Sequence, residues 1–450
     1  MNMQINNKQF YRTVAGLVLP MALQNLINVG VSSADVIMLG KVGEIALSAA
    51  SLANQVFFIL NLALFGLTSG ASVLTAQYWG KQDTRTIEKV MGMSFRIGLL
   101  AAFVVTAAVW IAPVPIMRLF TNEAVIIEEG VRYLKIVSLS YLMSAFTMVY
   151  LNIVRSVERV VIATVVYSIS LVVNIILNAV FIFGLLGLPA MGAAGAALGT
   201  VCARATEVII VVFYAVKIND TVRIRVKDLF VRDRLLGRDF RVYAFPVLLN
   251  EVAWGSGMAV ITAIVGHLGS AAVAAHSVAQ VSRQLSMVVS FGIASAASIM
   301  VGKSIGEKKE ELAKEYARRF LKISIILGIC GGVVILMISP VACALLNLTD
   351  QAKGYLKIMM IFMSYYVVGQ AYNSTMVVGI CRAGGDTKFG LVLDVGIMWI
   401  CSIGLGMIAA FVLKMPMPWV YIFLVSDEII KIPFSVKRHH TYKWLKNVTR

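Results

Sequence analysis

Polar positions in this chain fall in short clusters, separated by long apolar runs of roughly the twenty residues that a bilayer's hydrocarbon core requires. The runs lie near 14–39, 50–76, 92–114, 131–152, 161–186, 191–216, 240–266, 277–302, 319–340, 354–379, 388–413 and 418–436. Helices are the natural form for such runs, because hydrocarbon offers no partner to open backbone groups. Strands of a membrane barrel would show short segments of alternating polarity instead. The pattern predicts an all-α polytopic membrane protein with twelve transmembrane helices. The first run is too long for a signal-peptide core and lacks a convincing cleavage site, so it is expected to stay as the first span.

Composition narrows the reading. Of 450 residues, 59% are hydrophobic and 14% charged, whereas a soluble domain carries about 25% charged residues. No stretch between the runs is long enough for a soluble domain. The five cysteines fit no metal-binding spacing, sit mostly in apolar segments and are expected to form no disulfide framework.

The net charge is +17, but the cations are distributed as membrane topology requires, not as a nucleic-acid surface. Loops of one parity hold Lys81, Arg85 and Lys89; Arg155 and Arg159; Arg223, Arg225, Lys227, Arg232, Arg234, Arg238 and Arg241; Lys303, Lys308, Lys309, Lys314, Arg318 and Arg319; then Arg382 and Lys388. The termini add Lys8, Arg12, Lys437, Arg438, Lys443, Lys446 and Arg450, while the opposite loops hold little beyond Lys41, Arg118, Arg132, Lys353 and Lys414. Positive residues stay cytoplasmic, so both termini are expected to face the cytoplasm of a cell with the chain in its inner membrane. That demands an even number of spans, as twelve is. The same clusters are suited to anionic lipid headgroups.

An internal repeat is visible. Pro20 opens Pro-Met-Ala-Leu-Gln and Pro246 opens Pro-Val-Leu-Leu-Asn, an offset of 226 (246 − 20). Without a gap, the same offset pairs Gly40 with Gly266, Gly43 with Gly269, Ala49 with Ala275, Gly66 with Gly292, Ser69 with Ser295, Ser72 with Ser298 and Gly80 with Gly306. The chain therefore reads as two pseudo-symmetric six-helix lobes, 1–218 and 240–450, joined by a basic loop, 219–239. Six spans per lobe give both lobes one orientation, with an axis along the membrane normal and a cleft between them, as in alternating-access transporters. No selectivity-filter loop or charged ring marks a channel.

Carboxylates inside apolar runs are costly, about 2.5–3.5 kcal/mol at mid-membrane on insertion scales, and are usually functional. Asp35 is the sharpest candidate: Gln24, Asn28, Ser32 and Asp35 recur at helical spacing and share one face. Ser170, Asn174 and Asn178 form a similar stripe on the fifth run, and Asn152 closes the fourth. In the second lobe, Glu251 with Asn250 offers hard oxygen ligands suited to Na⁺. Asp394 lies in the eleventh run, and Asp427, Glu428 and Lys431 in the twelfth. Arg283, beside His276, Gln280 and Gln284, is a candidate partner for Glu251 or Asp394, and Arg204 for Glu207. Gln24, Gln280, Gln284, Gln370 and Asn373 are candidates to line the substrate cleft. Pro20 and Pro246 each remove a helical hydrogen bond and are candidate hinges.

Several motifs, in order, resemble the multidrug and toxic compound extrusion (MATE) transporters of bacteria. They are Pro20 to Asp35 followed by Met38-Leu39-Gly40 and Gly43; Ala76-Gln77-Tyr78-Trp79-Gly80; Asn174 and Asn178 with Met191-Gly192-Ala193-Ala194-Gly195-Ala196-Ala197; and Arg382-Ala383-Gly384-Gly385-Asp386-Thr387. The resemblance implies a two-lobe antiporter, working as a monomer, that exports organic cations and drugs in exchange for H⁺ or Na⁺. It implies coupling-ion sites at Asp35, Asn28, Asn152, Asn174 and Asn178 in the first lobe. In the second it implies Glu251, and Asp394, Arg283, Asp427 and Glu428 are further candidates there. One branch of the family carries a second Asp on helix 5 where Asn178 stands here. Taking a carboxylate out of water favours its protonated form, so a proton from outside would neutralise Asp35 and loosen its hold on a cationic cargo.

No other cofactor and no resident metal is expected, save Na⁺ at Glu251 or Asp35. The alternative within the same superfamily is a flippase or exporter of lipid-linked or small metabolite substrates, which would call for a large cationic cavity. An intramembrane enzyme would need a nucleophile–base pair or a metal motif such as His-Glu-x-x-His; neither occurs, and only four histidines are present.

Overall fold

The computed structural model describes residues 7–230, 233–345 and 349–449. Arg232 and Arg450, counted above among the topology-setting cations, lie outside the described residues. Helices run in chain order as α1 (Asn7–Val42), α2 (Glu44–Gly80), α3 (Thr84–Ile111), α4 (Pro113–Arg118), α5 (Ala124–Val137), α6 (Leu139–Ser156), α7 (Val161–Phe183) and α8 (Gly192–Lys217). Then come α9 (Arg234–His267), α10 (Ser270–Gly306), α11 (Glu310–Leu345), α12 (Asp350–Ser374), α13 (Thr387–Val412), α14 (Met417–Leu424) and α15 (Asp427–His440). Every expected span falls on one of these helices or on a consecutive pair, and no strand occurs among the described residues. The protein is an all-α polytopic membrane protein.

By apolar length alone, nine helices among the described residues can cross a bilayer, or ten if α5 and α6, bent by 46° at Ser138, form one broken span. The crossing expected near 418–436 is missing from that count because α14 and α15 are only 8 and 14 residues long, and both that segment and the one expected near 354–379 carry polar residues. Gln370 and Asn373 on α12, and Asp427, Glu428 and Lys431 on α15, lower the hydropathy of those helices, yet all five side chains are buried among other helices. Elsewhere large apolar residues such as Leu100, Ile209, Ile326 and Ile400 stay exposed, as suits helices bathed in lipid tails.

The described residues pack as two units. One comprises those of Met1–Ala22, Ser72–Gln82 and Arg241–Arg450; the other comprises Leu23–Ala71 and Asp83–Phe240. These packing boundaries fall inside α1, α2 and α9 and between α2 and α3. Within the first unit, repeat-related Gly80 and Gly306 let α2 and α10 touch: a β-carbon on Gly80 would lie 2.0 Å from the Lys303 carbonyl oxygen, and one on Gly306 would lie 1.8 Å from that of Gln77. Small residues at such crossings permit the close backbone approach by which membrane helices associate.

Two sequence motifs prove to be joints in this unit. The buried Gln77 amide donates to the carbonyls of Ala383 (2.7 Å) and Lys446 (3.0 Å) and accepts from Val448 N–H (2.8 Å). Asp386 accepts from Arg438 and Lys446, and Trp444 is fully buried. The basic C-terminal tail is thus docked. In the second unit the loop after α8 is also held: Arg85 bridges Glu88 and Asp228, and Arg225 reaches Glu88. Hydrogen bonds and the charges of Asp228 and Glu88 push the Arg85 guanidinium further above its ordinary value.

A candidate ligand cavity and a buried charge network

The second unit encloses a cavity of about 700 Å³ lined by residues of α1, α2, α5, α6, α7 and α8. The polar stripe expected on α1 faces it, since Gln24, Asn28, Ser32 and Asp35 all line its wall together with Asn152. Phe57, Phe58 and Phe65 supply apolar surface. A cavity of this size with few charges and aromatic walls suits a drug-sized molecule.

Asp35 accepts a 2.6 Å hydrogen bond from the Asn178 side-chain amide, which also reaches Asn174 Oδ1 at 3.2 Å. Asn174 and Asn178 are buried. No cation lies within ion-pair distance of Asp35 among the described residues, and its carboxylate lines the cavity. Gly199 on α8 leaves room for the Asn178 side chain. The structure thus brings Asp35, Asn174 and Asn178 together and sets Asn28 and Asn152 on the same cavity.

Among the lining residues that sequence reasoning missed, three carry notable polar contacts. Tyr133 donates to Asn54 (3.3 Å). Arg204 pairs with Glu207 at 2.6 Å, as expected, but also lines the cavity. Arg155, read above as a loop cation, is a cavity residue: its guanidinium donates to Gln24 Oε1 at 2.6 Å while Gln24 donates to Val160 O and Thr164 Oγ1. Arg155 closes an apolar run, where a topology-setting cation and a cavity residue look alike in sequence.

In the first unit, the expected acidic residues divide. Asp394, Asp427 and Glu428 converge on the fully buried Lys431 ammonium, at 3.2, 2.7 and 3.2 Å. Asn373 donates to the Glu428 carboxylate (2.8 Å) and Ser402 to Asp427 (3.2 Å), while Asn250 approaches Asp394 at 3.4 Å. Glu251 is elsewhere, ion-paired with Arg382 at 2.5 Å. Arg283 meets neither acid proposed for it; it donates to Gln280 (2.8 Å) and Gln370 (3.1 Å). The helical register of α10 turns it toward α12, which sequence alone did not reveal. Gln284 is exposed.

A polar, drug-sized chamber holding an unpaired carboxylate, set in helices whose outer faces are apolar, defines a membrane transporter. The MatE family model matches residues 20–180 and again 246–412, the two matches opening on Pro20 and Pro246. The chain belongs to the MatE family. It is 26% identical over 421 residues to a probable multidrug resistance protein, YoeA, of Bacillus subtilis, covering 90% of this chain and 87% of that one. It is 22% identical over 431 residues to a probable multidrug resistance protein, NorM, of Thermotoga maritima, covering 96% and 92%. A MATE protein crystallised in a bent conformation superposes with a TM-score of 0.86 at 20% identity, covering 96% of each chain. The protein is thus a MATE-family transporter and not an enzyme.

Proposed function

We propose that the chain exports small organic molecules, cations among them, from the cell across its inner membrane in exchange for H⁺ or Na⁺, working as a monomer with both termini cytoplasmic. The carrying observation is the Asp35 carboxylate, which faces a cavity of about 700 Å³ with, among the described residues, one neutral side-chain amide donor and no ion-pair partner. Such a group changes its interaction with a positively charged cargo when it gains a proton or a metal cation. Asn178 and Asn174 stand beside it and Asn28 and Asn152 line the same cavity; amide oxygens of this kind suit hard cations.

The Lys431 cluster has three carboxylates for one ammonium and is the candidate second coupling site; Glu251 stands apart, paired with Arg382, and Arg283 is held by Gln280 and Gln370. Na⁺ fits Asp35 better than Glu251, whose carboxylate already carries the Arg382 guanidinium. Pro20 and Pro246, each inside a long helix, are the proposed hinges of alternating access.

The test is efflux of ethidium from inverted vesicles under imposed pH or sodium gradients. Gradient-driven transport by the parent chain, lost in Asp35→Asn at unchanged membrane yield, supports the reading. Full gradient-driven transport by Asp35→Asn removes Asp35 from coupling.

A further inference from the structure

The two repeats treat equivalent arginines differently. Arg382 follows Pro246 by 136 residues (382 − 246) and Arg155 follows Pro20 by 135 (155 − 20); each stands where a helical span closes, and each reaches the middle of the helix that holds its repeat's proline, just past that proline. Arg382 finds an acid there, Glu251, five residues after Pro246. Arg155 finds the neutral Gln24, and the residue five after Pro20 is Asn25. Arg155 therefore has no acidic partner there. No carboxylate lies within ion-pair distance of it among the described residues, and its buried Nε has no hydrogen-bond partner. Both Arg155 and Asp35 line the same cavity.

We propose that this cavity is built for zwitterionic organic molecules, with Arg155 holding the anionic carboxylate or phosphate end and Asp35 the ammonium end. The other cation in the wall, Arg204, is already paired with Glu207 at 2.6 Å, so Asp35 and Arg155 are the two charged lining residues without an ion-pair partner among the described residues. They are far enough apart for one ligand to span: Gln24, which touches Arg155, and Asp35 lie eleven residues apart on α1, or roughly 16 Å at the helical rise. Arginine's planar fork suits a carboxylate or phosphate, and the phenylalanine walls suit an apolar middle. This inference rests on the exporter reading and narrows its substrate class.

The test is binding to the purified full chain in detergent without added phospholipid. The probes are ω-aminoundecanoic acid, whose extended length bridges that spacing, and its methyl ester, which keeps the ammonium and loses the anion. The acid is expected to bind the parent chain about tenfold more tightly than the ester, as a charge-assisted hydrogen bond would give. Gln24→Glu, which copies the ion pair of the other repeat and should fold as that repeat does, is expected to bring the ratio to one or below. Arg155→Lys should keep a preference for the acid, and Arg155→Gln should lose it. Equal binding of acid and ester by the parent chain, or an undiminished ratio in Gln24→Glu, overturns the proposal. Either result leaves gradient-driven ethidium efflux untouched. Absence of that efflux would instead overturn the exporter reading while an acid preference stood.

Discussion

Gly199 sits so close to Asn178 that a β-carbon at position 199 would come within 2.1 Å of the Asn178 side-chain oxygen. The contact matters because the same Asn178 side chain donates the only hydrogen bond that Asp35 receives from another side chain among the described residues. Glycine at 199 thus acts at one remove on the carboxylate.

Gly199→Ala is expected to displace Asn178 and strip Asp35 of its donor. Overpacking of this kind typically costs about 1–3 kcal/mol. Gradient-driven ethidium efflux should fall about tenfold, with the chain still inserted. Wild-type efflux by Gly199→Ala would show that the Asn178–Asp35 contact is dispensable.

Lys431→Met should be among the most damaging single changes. It removes the ammonium from between three buried carboxylates, and breaking a buried ion pair from one side costs about 3–5 kcal/mol. A large drop in the melting temperature in detergent is expected. Adding Asp427→Asn should recover part of it. A variant that melts with the parent chain would mean that the cluster is already neutralised without Lys431.

Gln77→Ala is expected to loosen the C-terminal tail. It removes the hydrogen bonds to the Ala383 and Lys446 carbonyls and from Val448, each worth about 0.5–1.5 kcal/mol net. The readout is protease cleavage after Thr441. Cleavage no faster than in the parent chain would show that Trp444 burial alone holds the tail.

The tail should also release in acid. Burial, helped by the charges of His440 and Arg318, pushes the His439 imidazole down to about 4, against an unfolded value near 6.5. A depressed value means the neutral ring is favoured in the docked state. Its stabilisation is complete above about pH 6.5 and is lost as pH falls from there toward 4. Tail cleavage by an acid-tolerant protease should rise across that window, and His439→Gln should flatten the rise. An identical pH profile in the two proteins would exclude His439 as the cause.

The apolar runs alone determined that this is an all-helical membrane chain, because a segment with no water around it must satisfy its backbone internally and must be about twenty residues long. The 226-residue register of Pro20 with Pro246 exposed the repeat, and the spacing of Gln24, Asn28, Ser32 and Asp35 placed one polar face correctly, since both follow from helical period. Ion pairing was not legible. Arg283 was assigned acids it does not meet, and Arg155 was taken for a loop cation. Which charge neutralises which depends on helix rotation and on side chains 131 residues apart, as Arg382 and Glu251 are. Only the tertiary structure decided that Arg382 is matched and Arg155 is not, because a buried charge is defined by what stands opposite it in space.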